Sequence, residues 1–329
     1  MTTQNIYRAA IVGCGRIGTA TGDPGLGRSR IKSHADAYLA LPNVDLVALC
    51  DPDEAALARA SDAWGVAETF NDVASLLATT PPDLLSVCAP PTEHVGILRL
   101  AIQAGVKGVL LEKPIAPDLA SARAAVSLVK SSETRVAINY TRRFPPAYRA
   151  AIEDVRSGAI GRVQHVHGIY TRGIVNNGSH MIDLLRAMLG DPVRADVLPG
   201  GCDLDLADQS VAARLSFTDG VEAWLAAADG SAFNIFDLDI LGTEGRIAFT
   251  DLGHLVQRFT IDDTLNEHGF KQLSPLPDPQ PTHLADAVRY ALGDLIDSIE
   301  AGREPLCTLA DGYAALEIAL RLKETPHER

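Results

Sequence analysis

The sequence predicts an α/β fold in two parts. Residues 1–141 read as a doubly wound parallel sheet, and residues 142–329 as an α+β domain with a large, mostly antiparallel sheet. Three observations predict it. At roughly 150 residues per domain, a chain of 329 residues has room for two. From Tyr7 to about Tyr140, short β-branched runs alternate with Ala- and Leu-rich helical segments. Beyond that point, strand-like runs follow one another with turn signals between them.

In the first part the expected strands are 9–13, 46–50, 84–89, 106–111 and 136–140, and the expected helices are 53–63, 72–78, 93–104 and 119–129. Asn71 and Thr92 stand at N-cap positions ahead of apolar helical runs. Strands that are apolar throughout and separated by helices indicate a parallel sheet covered on both faces. The second part opens with a helix at 146–157, a strand at 163–174 and a helix at 179–189. Strands are then expected at 210–217, 221–227, 233–241 and 246–249. Asp219-Gly220 lies between two apolar runs and signals a hairpin. Four prolines make 272–281 a loop, and helices at 284–300 and 309–322 end the pattern. Helices near the C-terminus are open to packing back on the first domain.

Lys and Arg number 29 against 42 Asp and Glu, giving a net charge of −13. No basic patch offsets this, so nucleic acid is not an expected partner. Hydrophobic residues at 47% and charged residues at 22% exclude a disordered chain. No apolar run approaches the roughly 18 residues of a membrane span, and the start lacks the sections of a signal peptide. The five cysteines are odd in number and form no CxxC pair, so no disulfide framework or structural zinc is expected, and the predicted compartment is the cytoplasm.

Gly13-Cys-Gly15-Arg-Ile-Gly18 is a GxGxxG directly after the first strand, the arrangement of a Rossmann dinucleotide site. Gly13 suits the tight turn, Gly15 lets the backbone approach a pyrophosphate, and Gly18 lets the next segment pack on the sheet. The helix N-terminus beyond offers N–H donors to phosphate. An acidic residue is expected at the end of strand two to accept from the adenosine ribose, and Asp51 stands there. Thirty-three residues separate it from Gly18, against about 20 in the motif, so a segment is inserted. The Gly-rich run 21–28 reads as a surface insertion or as a flap bringing Arg28, Arg30 or Lys32 to bound phosphates. A carboxylate at 51 repels a 2′-phosphate, which favours NAD over NADP.

Further elements appear in order: Pro91-Thr-Glu-His94 after strand four, Glu112-Lys113-Pro114 after strand five, Arg143-Phe-x-Pro after strand six, and Gly178-Ser-His180-Met-Ile-Asp183 in the second part. On these the chain resembles the glucose–fructose oxidoreductase, inositol dehydrogenase and rhizopine-catabolism family (Gfo/Idh/MocA) along nearly its whole length. The resemblance implies an NAD-dependent oxidoreductase acting on a hydroxyl carbon of a sugar, cyclitol or sugar derivative. It also implies cofactor contacts from Arg16, Ile17, Pro90, His94, Glu112 and Lys113, and a cis peptide before Pro114. Lys113 is implied as the catalytic lysine, because alcohol oxidation needs a cation beside the developing alkoxide and a route for its proton.

His180 is implied as a second catalytic group. Many relatives carry an Asp four residues before this histidine; here that residue is Asn176, which cannot hold a proton. Asp183, one helical turn after His180, either orients the imidazole, binds a substrate hydroxyl or stabilises the helix start. Arg143, Asn176 and Asn177 are implied substrate contacts. His165 and His167 alternate on one strand, but nothing completes a metal-ligand set. Trp64 and Trp224 read as core or interface residues, and a homodimer or homotetramer through the second domain's sheet is expected. Two other readings stay open: an enzyme that oxidises its glycoside substrate transiently and recycles NAD, and a cofactor-binding regulator that has lost catalysis.

Overall fold

The computed structural model describes residues 5–19, 31, 33–202, 207–267, 269–275 and 277–325. The chain divides into two compact units, one of Met1–Phe144 with Ala285–Tyr313, the other of Pro145–Leu284 with Ala314–Arg329.

The first unit runs β1 (Tyr7–Val12), α1 (His34–Leu39), β2 (Val44–Cys50), α2 (Glu54–Trp64), β3 (Glu68–Phe70), α3 (Val73–Thr79), β4 (Leu84–Val87), α4 (His94–Gln103), β5 (Gly108–Leu111), α5 (Leu119–Lys130) and β6 (Arg135–Ile138). All six strands are parallel, in the order β3-β2-β1-β4-β5-β6. Every residue of β4 and β5 is buried, as strands covered on both faces require. The strand order reverses between β1 and β4, and ligands of such sheets bind outside the carboxyl ends at that switch.

The second unit contains α6 (Pro146–Arg156), β7 (Val163–Tyr170), α7 (Ser179–Leu189), β8 (Arg194–Val197), β9 (Ala213–Ser216), β10 (Glu222–Ala227), β11 (Phe236–Gly242), β12 (Gly245–Thr250), β13 (Leu255–Glu267), β14 (Phe270–Leu273) and β15 (Gln280–Pro281). They form a nine-stranded sheet in the order β14-β13-β12-β11-β7-β10-β9-β8, with β15 on β13. The hairpins β9–β10 and β11–β12 are antiparallel, as the Asp-Gly and Gly-x-x-Gly turns imply; β7 and β10 pair in parallel. Along β11, side chains alternate between buried and half-buried, so one face of the sheet forms the core. The nine buried residues of α7 include Met181, Ile182, Leu184 and Leu185. Helix α8 (Ala287–Ala301) belongs to the first unit, and α9 (Leu309–Glu324) closes the described chain.

Some expectations are corrected. The N-cap of α3 is Asp72, not Asn71: its carboxylate accepts from Ser75 N at 2.8 Å, because the helix starts at Val73, one residue later than Asn71 would cap. The residue before α4 is Glu93, not Thr92, and its side chain makes no cap bond; the Thr92 hydroxyl turns instead to the Glu93 carboxylate. The strand expected at 163–174 ends at Tyr170, because Arg172 and Gly173 both take positive φ. Helix α1 and strands β3, β8, β13, β14 and β15 lie outside the predicted set, and the expected loop 272–281 gives its two ends to β14 and β15, which pair with β13. Helix α1 and strand β3 are too short to show a period, and β3 is largely exposed.

Candidate active site

In the first unit the carboxyl ends of the parallel strands carry the candidate residues. Gly13 follows β1 with φ +97°, and a Cβ there would stand 2.6 Å from the Cys88 carbonyl, so only glycine fits the turn. Gly18 packs so closely on Gly13 that a Cβ would collide with its carbonyl oxygen. Beside Gly15 nothing stands within 4 Å of a Cβ position, which leaves room for a ligand to reach that backbone. Arg16 and Ile17 are exposed on the same turn. The Asp51 carboxylate closes the loop onto β2: Cys14 N donates to Oδ2 at 2.7 Å and Asp53 N to Oδ1 at 2.9 Å. Beneath the loop, burial pushes the thiols of Cys14 and Cys50 up to about 12.

The helix after this loop is interrupted. One turn, tied by Thr19 N to Gly15 O at 3.0 Å, runs to Thr19, and the helix resumes at Ser33, the N-cap of α1. The two pieces still bond across the break: His34 N donates to Ile17 O at 3.1 Å and Ala35 N to Gly18 O at 3.0 Å. Trp64 braces the break, its indole N–H donating to Thr19 O at 2.9 Å. The flap residues Arg28, Arg30 and Lys32 lie outside the described residues.

Splicing the helix this way sets His34, fully buried, between Ser86 of β4 and Glu112 just past β5. Its Nε2 lies 3.0 Å from Glu112 Oε1, and its Nδ1 lies 2.8 Å from Ser86 Oγ, which also meets the Tyr38 hydroxyl at 2.8 Å. Asn139, just past β6, donates to the same Glu112 oxygen at 2.6 Å. Burial opposes ionisation of Glu112, but the hydrogen bonds from His34 and Asn139 and the neighbouring Lys113 outweigh it and hold the carboxyl below its usual range. Both protein bonds fall on Oε1, and the side chain keeps 15% exposure. The other oxygen therefore faces outward. Lys113 is half-buried and joined to Pro114 by a cis peptide.

His94 is buried, with Nε2 2.9 Å from Ala89 O; burial lowers its pKa, so it serves the turn before Pro90 as a neutral donor. Pro90 itself is exposed. Arg143 is drawn to Asp311 at the start of α9, 3.4 Å from Nη2 to Oδ1, with its side chain 11% exposed. Its guanidinium braces the first unit.

In the second unit β7 ends in a tight π-helical turn, Gly173–Gly178, entered through Arg172 at φ 68°. Asp208 holds this turn. Its carboxylate accepts from Val175 N at 3.0 Å and Asn176 N at 2.9 Å, and a Cβ on Gly173 would collide with it. Ser210 Oγ accepts from Gly173 N at 2.9 Å, and Ser179 Oγ closes back on Val175 O at 2.6 Å. Asn176 is exposed and Asn177 half-buried on the turn; His180 and Asp183 are buried in the first turns of α7. Among the described residues no group of three or more His, Cys, Asp or Glu could hold a metal, and no helix is long and apolar enough to cross a membrane. Sequence reasoning missed His34, Ser86, Asn139 and Asp208. Their partners lie between 27 and 78 positions away, and no local pattern signals such pairings.

Residues 7–140 match the family described as "Oxidoreductase family, NAD-binding Rossmann fold" (Gfo/Idh/MocA). The chain is 27% identical over 228 residues to D-apiose dehydrogenase of Paraburkholderia graminis, covering 64% of this chain and 57% of that protein. It is 26% identical over 334 residues to inositol 2-dehydrogenase of Rhizobium meliloti, covering 95% of this chain and 94% of the relative. The fold matches levoglucosan dehydrogenase in complex with NADH with a TM-score of 0.80 at 18% identity, over 98% of this chain and 96% of that one. With its glycine loop, Glu-Lys-Pro turn and antiparallel second sheet, the chain is similar to Gfo/Idh/MocA oxidoreductases along nearly its whole length, and residues 7–140 carry that family's NAD-binding Rossmann fold.

Proposed function

We propose that this oxidoreductase transfers hydride between NAD and a hydroxyl-bearing carbon of a sugar or cyclitol. The observation that carries the reading is the Glu112–Lys113 turn, an ionised carboxylate and an adjoining lysine at the carboxyl end of β5 in a Rossmann sheet. Dehydrogenases of apiose and inositol among the relatives supply the substrate class. NAD fits the residues present. The open backbone at Gly15 suits a pyrophosphate, and Asp51 and the outward Glu112 oxygen suit hydroxyl donors. When bound, NAD supplies the hydride acceptor. Asp51 disfavours a 2′-phosphate, so NAD is preferred to NADP.

Lys113 carries the charge work, its ammonium stabilising the alkoxide as the hydroxyl proton leaves. His180 is the second acid–base group, and Asn176 serves the substrate as a neutral hydrogen-bond partner. The five free thiols, three of them buried, suit a reducing cytoplasm. The exposed sheet face around Trp224, where Arg214 stacks 5.9 Å from the indole, suits pairing with a second copy as a homodimer or homotetramer. Light scattering at micromolar concentration checks this, and a monomer contradicts it.

The deciding experiment is a panel of sugars, inositols and sugar phosphates with NAD⁺ and NADP⁺, followed by absorbance of the reduced nicotinamide. Net NADH formation with a polyol is expected. Binding of NAD without net reduction by any member would instead favour the NAD-recycling enzyme, if a glycoside is consumed, or the regulator, if none is.

A further inference from the structure

We propose that His34 is a positioning residue for the Glu112–Lys113 turn, holding Glu112 as a charged acceptor with one oxygen fixed inward and the other presented to a hydroxyl donor of the bound cofactor. The inference rests on the reading that NAD sits at these strand ends.

Hydrogen-bond direction carries the argument. The Tyr38 phenol is fully buried, and burial pushes its pKa well up, so it stays protonated and donates. Its neighbour is Ser86 Oγ at 2.8 Å, which then gives its own hydrogen to His34 Nδ1 at 2.8 Å. That leaves the single imidazole hydrogen on Nε2, aimed at Glu112 Oε1 3.0 Å away. Every donor in the chain Tyr38–Ser86–His34–Glu112 has an acceptor, and the tautomer follows from the network. Asn139 Nδ2 completes the clamp on the same oxygen at 2.6 Å. With Oε1 doubly engaged, the carboxylate cannot rotate without breaking both bonds, and Oε2 stays outward.

The titratable groups around Glu112 are His34 on α1, Cys88 after β4, His94 on α4 and Lys113 on its own turn. Burial and then the Glu112 charge push the Cys88 thiol well up, so it stays neutral and adds no anion, and burial lowers His94, so it supplies no positive charge. Without the His34 donor, burial dominates at Glu112 and its carboxyl titrates above the ordinary range.

The test compares wild type with His34→Leu, His34→Gln, Ser86→Ala and Glu112→Gln. Calorimetric NAD⁺ binding from pH 6 to 9 should be flat in wild type. In His34→Leu it should weaken roughly tenfold from pH 9 to pH 6, the size of one charged hydrogen bond, as Glu112 takes up a proton. His34→Gln, which keeps a donor for Oε1, should follow wild type, and Ser86→Ala should fall between. Glu112→Gln should bind weakly at every pH, and adding His34→Leu to it should cost nothing more. A pH-flat loss in His34→Leu, or a further tenfold loss in the Glu112→Gln background, overturns the proposal.

Should wild type bind no NAD⁺, the cofactor reading fails and the melting temperature of the free protein decides about His34. A depressed Glu112 pKa stabilises wild type above the unfolded value near 4.3, and this stability is lost as pH falls. Where the pKa is raised, stability is lost as pH rises. The melting gap between wild type and His34→Leu should therefore widen from pH 5 to pH 8. A constant gap overturns the proposal. If His34→Leu does not fold, Ser86→Ala supplies the same comparison with a smaller gap.

Discussion

The two turns that carry the candidate catalytic residues are built in opposite ways. The Glu112–Lys113 turn is held by side chains: a buried relay through Tyr38, Ser86 and His34 meets Asn139 on one carboxylate oxygen. The turn before His180 is held through its backbone, where Asp208 and Ser210 collect the N–H groups of Gly173, Val175 and Asn176. In both a carboxylate is the anchor. In the first it is part of the turn and is gripped; in the second it reaches in from a neighbouring segment and grips. A side-chain clamp is tuned by the protonation of its members, whereas a backbone clamp fixes geometry whatever side chains the turn carries.

The largest effect should come from removing the charge that the first turn presents. Lys113→Ala should lower kcat by roughly 10²–10⁴ while NAD⁺ affinity changes far less. Steady-state kinetics on the best polyol, with calorimetric NAD⁺ binding, separates the two. Unchanged turnover would remove Lys113 from the chemistry.

Breaking the second clamp comes next. Asp208→Ala leaves two backbone N–H groups without their acceptor and should cost about 2 kcal/mol of stability, with about a tenfold loss of kcat. Urea denaturation and turnover measure both. Asp208→Asn, which keeps one acceptor oxygen, should lose less. Equal activity in Asp208→Ala and wild type would mean that the π-helical turn holds without its anchor.

His180→Ala should reduce kcat by less than Lys113→Ala, since residue 176, four positions before the histidine, is a neutral Asn that holds no proton. Asn176→Asp sharpens the point: restoring a carboxylate should shift the pH–rate profile without abolishing activity. An unmoved profile would detach residue 176 from the histidine. Smallest of all, Asp51→Ser should narrow an NAD preference of about tenfold by removing a repulsive charge. Paired NAD⁺ and NADP⁺ titrations read it out, and a wild-type preference for NADP would end the assignment.

The sequence carried most of the fold because its signals are local. Gly13 through Gly18 sits directly after a buried strand, and α7 matches its predicted span residue for residue. The grip on each turn was not legible. His34 meets Glu112 across 78 positions, and Asn176 meets Asp208 across 32. Neither pairing has a period, so only tertiary placement shows it. The end of β7 was hidden for a related reason: Val163–Ile174 reads as one strand until Asp208 bends the chain at Gly173. Arg143 is a further case: its motif gives no sign of Asp311, which its guanidinium meets across 168 positions.

The broken helix of the first unit has a consequence for how the chain tolerates change. Ile17 and Gly18 accept hydrogen bonds from His34 and Ala35 as consecutive turns of one helix would, so the chain leaves at Thr19 and returns at Ser33 through a single doorway. Loop-closure entropy rises only logarithmically with the length of an excursion whose ends are already joined, about 0.6 kcal/mol per doubling. The position next to the cofactor loop is thus a permissive port. Lengthening the chain between residues 19 and 33 should therefore cost little stability, while the register of His34 against Glu112 stays as it is.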